Sequence, residues 1–549
     1  MQVLDDNIHL VPTMDSRLQF QDQYGFQVRQ GASDHTYRFF TTTSSSNNGL
    51  TFNCIPPNSL VAMSRQIYVN LRADITLTAV STASGQNLLR VGYDGLRQFP
   101  LSSITDNISL TANGQKMNIQ LARQVHPLAK YFFNDVVDAN TYLSGSPNTP
   151  DQCQSYNESV ISSRNPLEPF LSTPINGYLG RSNGFTVTRN DLSTASGQTL
   201  TAIVSIDVLE PVFMNPFQWK NASSSFIHLN TLDVNLTFLS TWANRIWSHA
   251  DLNGIAIPIN SITGQISNNC QLLVEFLTPL DVSPIPKVLK YNYSEINPYV
   301  TTSASVAGGA TTLIQSQNLQ LGVVPRCIYV FVRNNFNDLT QDCSQTDTFF
   351  DISNIKIMWN NKDSIFSSAS AFQLYQASLV HGYSVSYAEH RAFPQATNFL
   401  NQGATGAQTS VKPCGSVLCF EFGKDIPCDA LMAPGCIGNY QLSMQVTCTN
   451  PRSTAIVPEL YISTCTDGVF TMAMSFGKIN TAILNPTNVF DTIDKARMNG
   501  IILGSNEIAG VHGGDFWDSL KNTAGDVWKY LEPVNKFLRK HKILSTAGL

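Results

Sequence analysis

Between Asp351 and Tyr383 the apolar residues change their period. Ile352, Ile355, Ile357 and Trp359 are β-formers in a strand-like run. Asn360-Asn361 then predicts a turn, because Asn tolerates left-handed backbone angles and bonds its own chain. Beyond it, Ala371, Phe372, Tyr375 and Leu379 recur at helical steps. Gly382 stands where a helix C-terminus favours positive φ. Residues 104–133 share this grammar: a strand through Ile108 and Leu110, the turn Asn113-Gly114, then a helical segment through Leu121, Val125 and Leu128. Pro127 is expected to kink or split that helix. The two turns lie about 250 residues apart, which points to a duplicated unit.

Elsewhere the pattern is almost wholly β. A Pro-Pro corner at 56–57 leads into a long strand through Ile67, Val69, Leu71 and Ile75. Residues 144–200 are loop-rich, and strands follow at 201–210, 226–239 and 270–280. Asp281 to Lys287, with Pro284 and Pro286, is the linker candidate. Further strands are expected at 288–302, 311–321, 327–336, 416–428, 438–450 and 458–474. About eight strands per half predict β-sandwiches, and eight-stranded sandwiches of two Greek keys are jelly rolls. The expected division is an N-terminal arm over 1–50, a first roll over 51–281, a second over 282–480 and a tail over 481–549. The run 41–49 should be without order or laid on a neighbour.

The tail is amphipathic, with Phe516, Leu520, Val527, Leu531, Val534 and Leu538 at helical steps and Pro533 interrupting. Trp517 and Trp528 add aromatic surface, and Lys529, Lys536, Arg539, Lys540 and Lys542 make its end basic. Such an end can touch a membrane, nucleic acid or a partner groove, or dock on its own body.

Composition narrows the function. Charged residues are 13% of the 549, against roughly 25% in an average soluble protein, so the surface is polar but uncharged and poorly protected against association. A net charge of −5 gives the whole molecule no footprint for nucleic acid. The N-terminal stretch lacks the basic start and apolar run of a signal peptide, so secretion is not expected. No apolar run of about twenty residues predicts a membrane helix. The eleven cysteines are expected as reduced, semi-buried thiols. Cys414, Cys419, Cys428 and Cys436 are spaced too widely for the usual zinc pairs. Phosphate loops, His-Glu-x-x-His and Gly-x-Ser-x-Gly are all missing. Asp233 and Glu275 are the only carboxylates on strands singled out as a glycosidase-like pair. No enzyme, metal or cofactor is expected.

Residues 97–115 (RQFPLSSITDNISLTANGQ), 355–382 and 416–442, with Pro56-Pro57-Asn58-Ser59 leading into Arg65-Gln66-Ile67-Tyr68, resemble the major capsid proteins of Polinton-like viruses, adintoviruses and virophages. The matches fall in order between about 50 and 475 and leave out the arm and the tail. The resemblance implies a double jelly roll, all-β with short helices in loops. It implies a homotrimer of pseudo-sixfold outline that tiles an icosahedral shell of a dsDNA virus. Its partners would be neighbouring capsomers, penton and minor capsid proteins, and the genome or an internal membrane through Phe516, Trp517, Leu520, Trp528, Leu531, Lys536, Arg539, Lys540 and Lys542. A maturation cut is implied at Gly513-Gly514, where Val511 replaces the larger apolar residue usual at such sites. The alternatives are a secreted carbohydrate-binding or adhesive β-sandwich, a sandwich hydrolase, and a single-roll vertex or minor capsid protein.

Overall fold

The computed structural model describes residues 31–89, 94–96, 99–132, 184–212, 225–249, 257, 259–336, 349–360, 362–392, 415–429, 432–452, 454–473, 476–481 and scattered positions to 489. The chain divides into two compact units, one spanning Gln30–Pro427 and Pro434–Ile483. All strands named below belong to it.

The first half lays down β1 (Asp34–Thr41), β2 (Ser44–Ser46), β3 (Gly49–Cys54), β4 (Ala62–Val80) and β5 (Asp94–Leu96). The short α1 (Pro100–Ile104) precedes β6 (Thr105–Ala112), β7 (Gln115–Ile119) and α2 (Leu121–Phe132). Then come β8 (Phe185–Asn190), β9 (Thr199–Pro211), β10 (Ser225–Phe226), β11 (Leu232–Phe238), α3 (Trp242–Ile246), β12 (Trp247–His249), β13 (Ile259–Ile266) and β14 (Gln271–Thr278). One sheet runs β1-β14-β4-β9-β8, with β10 and β13 also on β4; the other runs β2-β3-β11-β6-β7. Take β1, β3, β4, β6, β7, β9, β11 and β14 as eight principal strands. The sheets then read one-eight-three-six and two-seven-four-five, the two Greek keys of a jelly roll.

Residues 279–287 carry no strand. The second half continues with β15 (Val288–Thr302), β16 (Thr311–Gln315), β17 (Leu319–Val323), β18 (Cys327–Asn334), β19 (Asp351–Trp359) and β20 (Lys362–Ile365). It ends with α4 (Ala371–Val380), α5 (Tyr387–His390), β21 (Val417–Glu421), β22 (Ile437–Thr449), β23 (Pro458–Ala473) and β24 (Phe476–Asn480). Its sheets, β15-β23-β18-β21 and β16-β22-β19-β20, repeat the same order, with β24 on β23 and β17 on β22. The fold is a double jelly roll.

Alternation drives the layering. Along β4, Ile67, Val69, Leu71, Ala73, Ile75, Leu77 and Ala79 are buried in the first core, while Tyr68, Asn70 and Arg72 between them face outward. Full burial of each large aliphatic contributes about 1.5–3 kcal/mol.

The duplicated unit extends to single atoms. Asn113 (φ 46) and Asn360 (φ 51) both take the left-handed turn conformation. Asn113 N–H donates to Thr231 O (3.1 Å), and its Oδ1 accepts from Asn230 N (2.8 Å). Asn360 N–H donates to Gln441 O (2.8 Å), and its Oδ1 accepts from Gln441 N (2.9 Å). Each turn is thus tied to the entry or body of the seventh principal strand of its own roll.

Three expectations need correction. The helix does not follow the turn directly, since β7 and β20 intervene; a two-residue Asn turn is a hairpin turn and returns the chain along its own strand. The arm expected over 1–50 is too long, because β1 pairs with β14 from Asp34↔Thr278 to Thr41↔Gln271, and Ser44–Ser46 forms a hairpin with β3. Pro127 does not split α2, which runs unbroken from Leu121 to Phe132. The two ends of α2 are held in different cores, Leu121 and Val125 in the first and Leu128 and Tyr131 in a second cluster.

Candidate assembly surfaces

The C-terminal half of α2 leaves its own roll and covers the outer face of the second. Tyr131 donates its hydroxyl to Val417 O (2.7 Å) and packs edge-on to Tyr329, with centroids 5.2 Å apart. The backbone and hydroxyl of Ser384 both donate to Lys130 O (2.9 and 2.7 Å). Beneath lie Cys327, Tyr329 and Phe331 of β18, Val417 and Cys419 of β21, and Tyr461 and Cys465 of β23. Every residue of β18 is consequently buried, on both faces of its sheet. Further along, Phe470 and Met472 of β23 join the first roll's core. There the Arg65 guanidinium sits 5.0 Å from the Phe226 and Tyr291 rings. The two rolls are thereby packed as one body.

Arg245, Arg123 and Arg333 surround the Phe336 ring at 4.1, 4.8 and 5.1 Å. Buried Glu459 accepts from Phe336 N (3.2 Å) and from the Tyr461 hydroxyl (2.8 Å). Burial pushes Tyr461 up to about 12, so it stays a neutral donor.

The other buried titratable groups are structural in character. Glu210 accepts from Leu101 N (2.8 Å), Ser102 N (3.0 Å) and the Ser102 hydroxyl at the start of α1. Burial outweighs these bonds and raises its carboxyl to about 7. His390 is fully buried, and neither ring nitrogen has a hydrogen-bond partner. Burial first, then Lys130 and Arg391, lowers it to about 3, so the ring is neutral. Burial raises Cys54 and Cys448 to about 12. Cys327 reaches a similar value, mainly through hydrogen bonding with Cys419. Protonated thiols are poor nucleophiles and poor metal ligands.

Among the described residues no group of three or more His, Cys, Asp or Glu side chains could hold a metal ion. Cys419 is a buried free thiol; Cys414 lies outside the described residues. Asp233 and Glu275 do not meet. Asp233 on β11 accepts from Asn53 Nδ2, whereas Glu275 on β14, in the other sheet, accepts from the Tyr37 hydroxyl. No described helix is long and apolar enough to cross a membrane. Gly513, Gly514, Phe516, Trp517, Leu520, Trp528, Leu531, Lys536, Arg539, Lys540 and Lys542 all lie outside the described residues.

Two apolar surfaces remain open that sequence reasoning missed. On the first roll's β1-β14-β4-β9 sheet, Tyr37, Phe39 and Leu209 are exposed by 64, 58 and 41%. Phe39 pairs across to Leu273, and Leu273 to Tyr68, so an apolar row crosses three strands. On α4, Phe372, Leu379 and Val380 are exposed. The signal was available: Tyr37 and Phe39 share one strand face, but in a polar arm that face has no visible partner.

Comparison with known proteins agrees with this architecture. Residues 7–277 match the family model for the Sputnik virophage major capsid protein first domain. Residues 297–468 match the major capsid protein V20 C-terminal domain. The chain is 31% identical to the putative capsid protein V20 of Sputnik virophage over 98% of its length and 90% of the relative's. A chain in the cryo-EM structure of the Sputnik virophage superposes with a TM-score of 0.74 at 27% identity, covering 92% of this chain and 99% of that one. The mavirus major capsid protein superposes with a TM-score of 0.68 at 17% identity, covering 88 and 99%; that likeness concerns the fold.

Proposed function

The chain belongs to the family of virophage major capsid proteins, and from that premise we propose that three copies form a capsomer of pseudo-sixfold outline that tiles an icosahedral shell. It is a structural protein of the virion capsid that self-associates, not an enzyme. The secreted carbohydrate-binding alternative gains no support from these relatives.

The observation that carries the trimer is the repetition of one roll twice in one chain. Two rolls per chain and three chains place six similar sandwiches around one axis, and closed symmetry requires each contact surface to recur. Light scattering tests it: the peak should have three times the mass of 60.4 kDa, with a hexagonal outline in negative stain. A stable monomer at capsid-forming concentration would overturn it.

Penton and minor capsid proteins, and the genome or an internal membrane, are the further partners proposed for the basic, amphipathic residues 516–542. Deleting 515–549 should leave trimers intact and reduce particle yield or contents; unchanged particles would remove the tail from this role. Cleavage after Gly513 is proposed as a maturation step, and virions carrying the chain to Leu549 by intact mass would refute it.

A further inference from the structure

The two rolls use equivalent helices differently. α2 and α4 each follow the fifth principal strand of their roll. α2 packs its N-terminal part on the home roll through Leu121 and Val125, whereas α4 packs on its own roll along its length, through Ala371, Leu374 and Ser378. The last turn of α2 carries Leu128 and Tyr131 into the outer face of the next roll's sheet. The last turn of α4 carries Leu379 and Val380 into solvent, 41 and 65% exposed.

The receiving faces differ in the complementary way. The outer face of the second roll's β15-β23-β18-β21 sheet is covered by the end of α2 together with Tyr375, Tyr383 and Val385 of the second roll itself. The equivalent face of the first roll presents Tyr37, Phe39, Leu273, Tyr68 and Leu209 with no described helix over it. Among the described residues, one copy therefore holds one made contact, one exposed helix end and one uncovered seat.

We propose that helix α4 of one copy docks on the outer β1-β14-β4-β9 face of a second copy, repeating between chains the contact α2 makes within the chain. This rests on the proposed capsomer and names its interface. A second copy fits the seat for three reasons. The contact already exists inside the chain, and a head-to-tail contact between alternating rolls closes a ring of three chains. α4 (AFQLYQASLV) carries no charge. Charged groups on the seat already have partners: Arg72 Nε lies 3.3 Å from Asp207 Oδ2, and the Glu275 carboxylate lies 3.3 Å from His35 Nδ1 and accepts from the Tyr37 hydroxyl.

The test compares wild type with Leu379→Asp/Val380→Asp by light scattering, with Leu313→Asp as a control at an exposed apolar position of β16 (59% exposed). The double variant should fall from three-chain to one-chain mass while keeping the circular dichroism spectrum, and the control should remain three-chain. A trimeric, folded double variant overturns the proposed interface. A monomeric wild type fails the capsomer reading itself, and the interface with it. If the double variant does not fold, p-benzoylphenylalanine at position 380 decides. Photo-cross-links between chains to peptides covering 34–41, 66–72 or 205–211 support the docking; a trimer cross-linked only elsewhere, or not at all, overturns it.

Discussion

At the scale of residues, two buried titratable groups set opposite pH slopes on stability. Glu210 has its carboxyl raised from 4.5 to about 7. Its contribution is complete below about pH 4.5 and is lost as pH rises through 7, a change on the order of 3 kcal/mol. Glu210→Gln, which keeps an acceptor for the α1 amides, should therefore lose less stability than wild type between pH 5 and 8 in denaturant melts. Equal slopes would show that the carboxyl does not titrate with folding. His390 is lowered from 6.5 to about 3, so stability is lost as pH falls from about 6.5 towards 3, where the unfolded chain takes up the proton. His390→Phe should flatten that acid limb; a limb as steep as wild type would assign it to surface carboxylates instead. Neither role was legible in the sequence, where a lone Glu on a strand and a lone His near a helix end look like any others. Burial, which assigns them, depends on contacts from distant parts of the chain.

At the scale of elements, the repeat is held by its two asparagine turns. Asn113→Ala and Asn360→Ala each place a Cβ-bearing residue without a polar side chain at positive φ and remove the bonds to the strand opposite. The expected cost is about 2 kcal/mol each, one part from backbone strain and one from the lost hydrogen bond. The two should add in a double variant, because the turns sit in different rolls; urea titration measures both. These turns, the alternation in β4 and the helical step from Ala371 were readable because each rests on local spacing. β1 was not, because its partner β14 lies more than two hundred residues away and its sequence DHTYRFFT turns its exposed aromatics outward. β7 and β20 were missed because four or five residues beside a turn are too short to show a period.

At the scale of the whole molecule, the rolls share buried contacts through Tyr131, Phe470 and Met472, so the described body should unfold in one step. Calorimetry should give a single transition, and Tyr131→Ala should lower it by the equivalent of about 3–5 kcal/mol. Two resolved transitions would mean that the rolls are thermodynamically separate. The capsid family was legible in ordered motifs, whereas the surfaces that join copies were not. The surfaces proposed for that contact are defined by what one helix covers and its counterpart leaves bare.

Both rolls insert their last principal strand into the middle of a sheet: β14 lies between β1 and β4, and β23 between β15 and β18. During translation each sheet therefore waits with a central gap until its final strand emerges from the ribosome. A chain that stops early loses the middle of a sheet rather than an edge, and β1 or β15 is left with no strand to pair with. Truncated products are thus rejected by the topology itself, and only a chain synthesised through β23 can present both rolls to a growing shell.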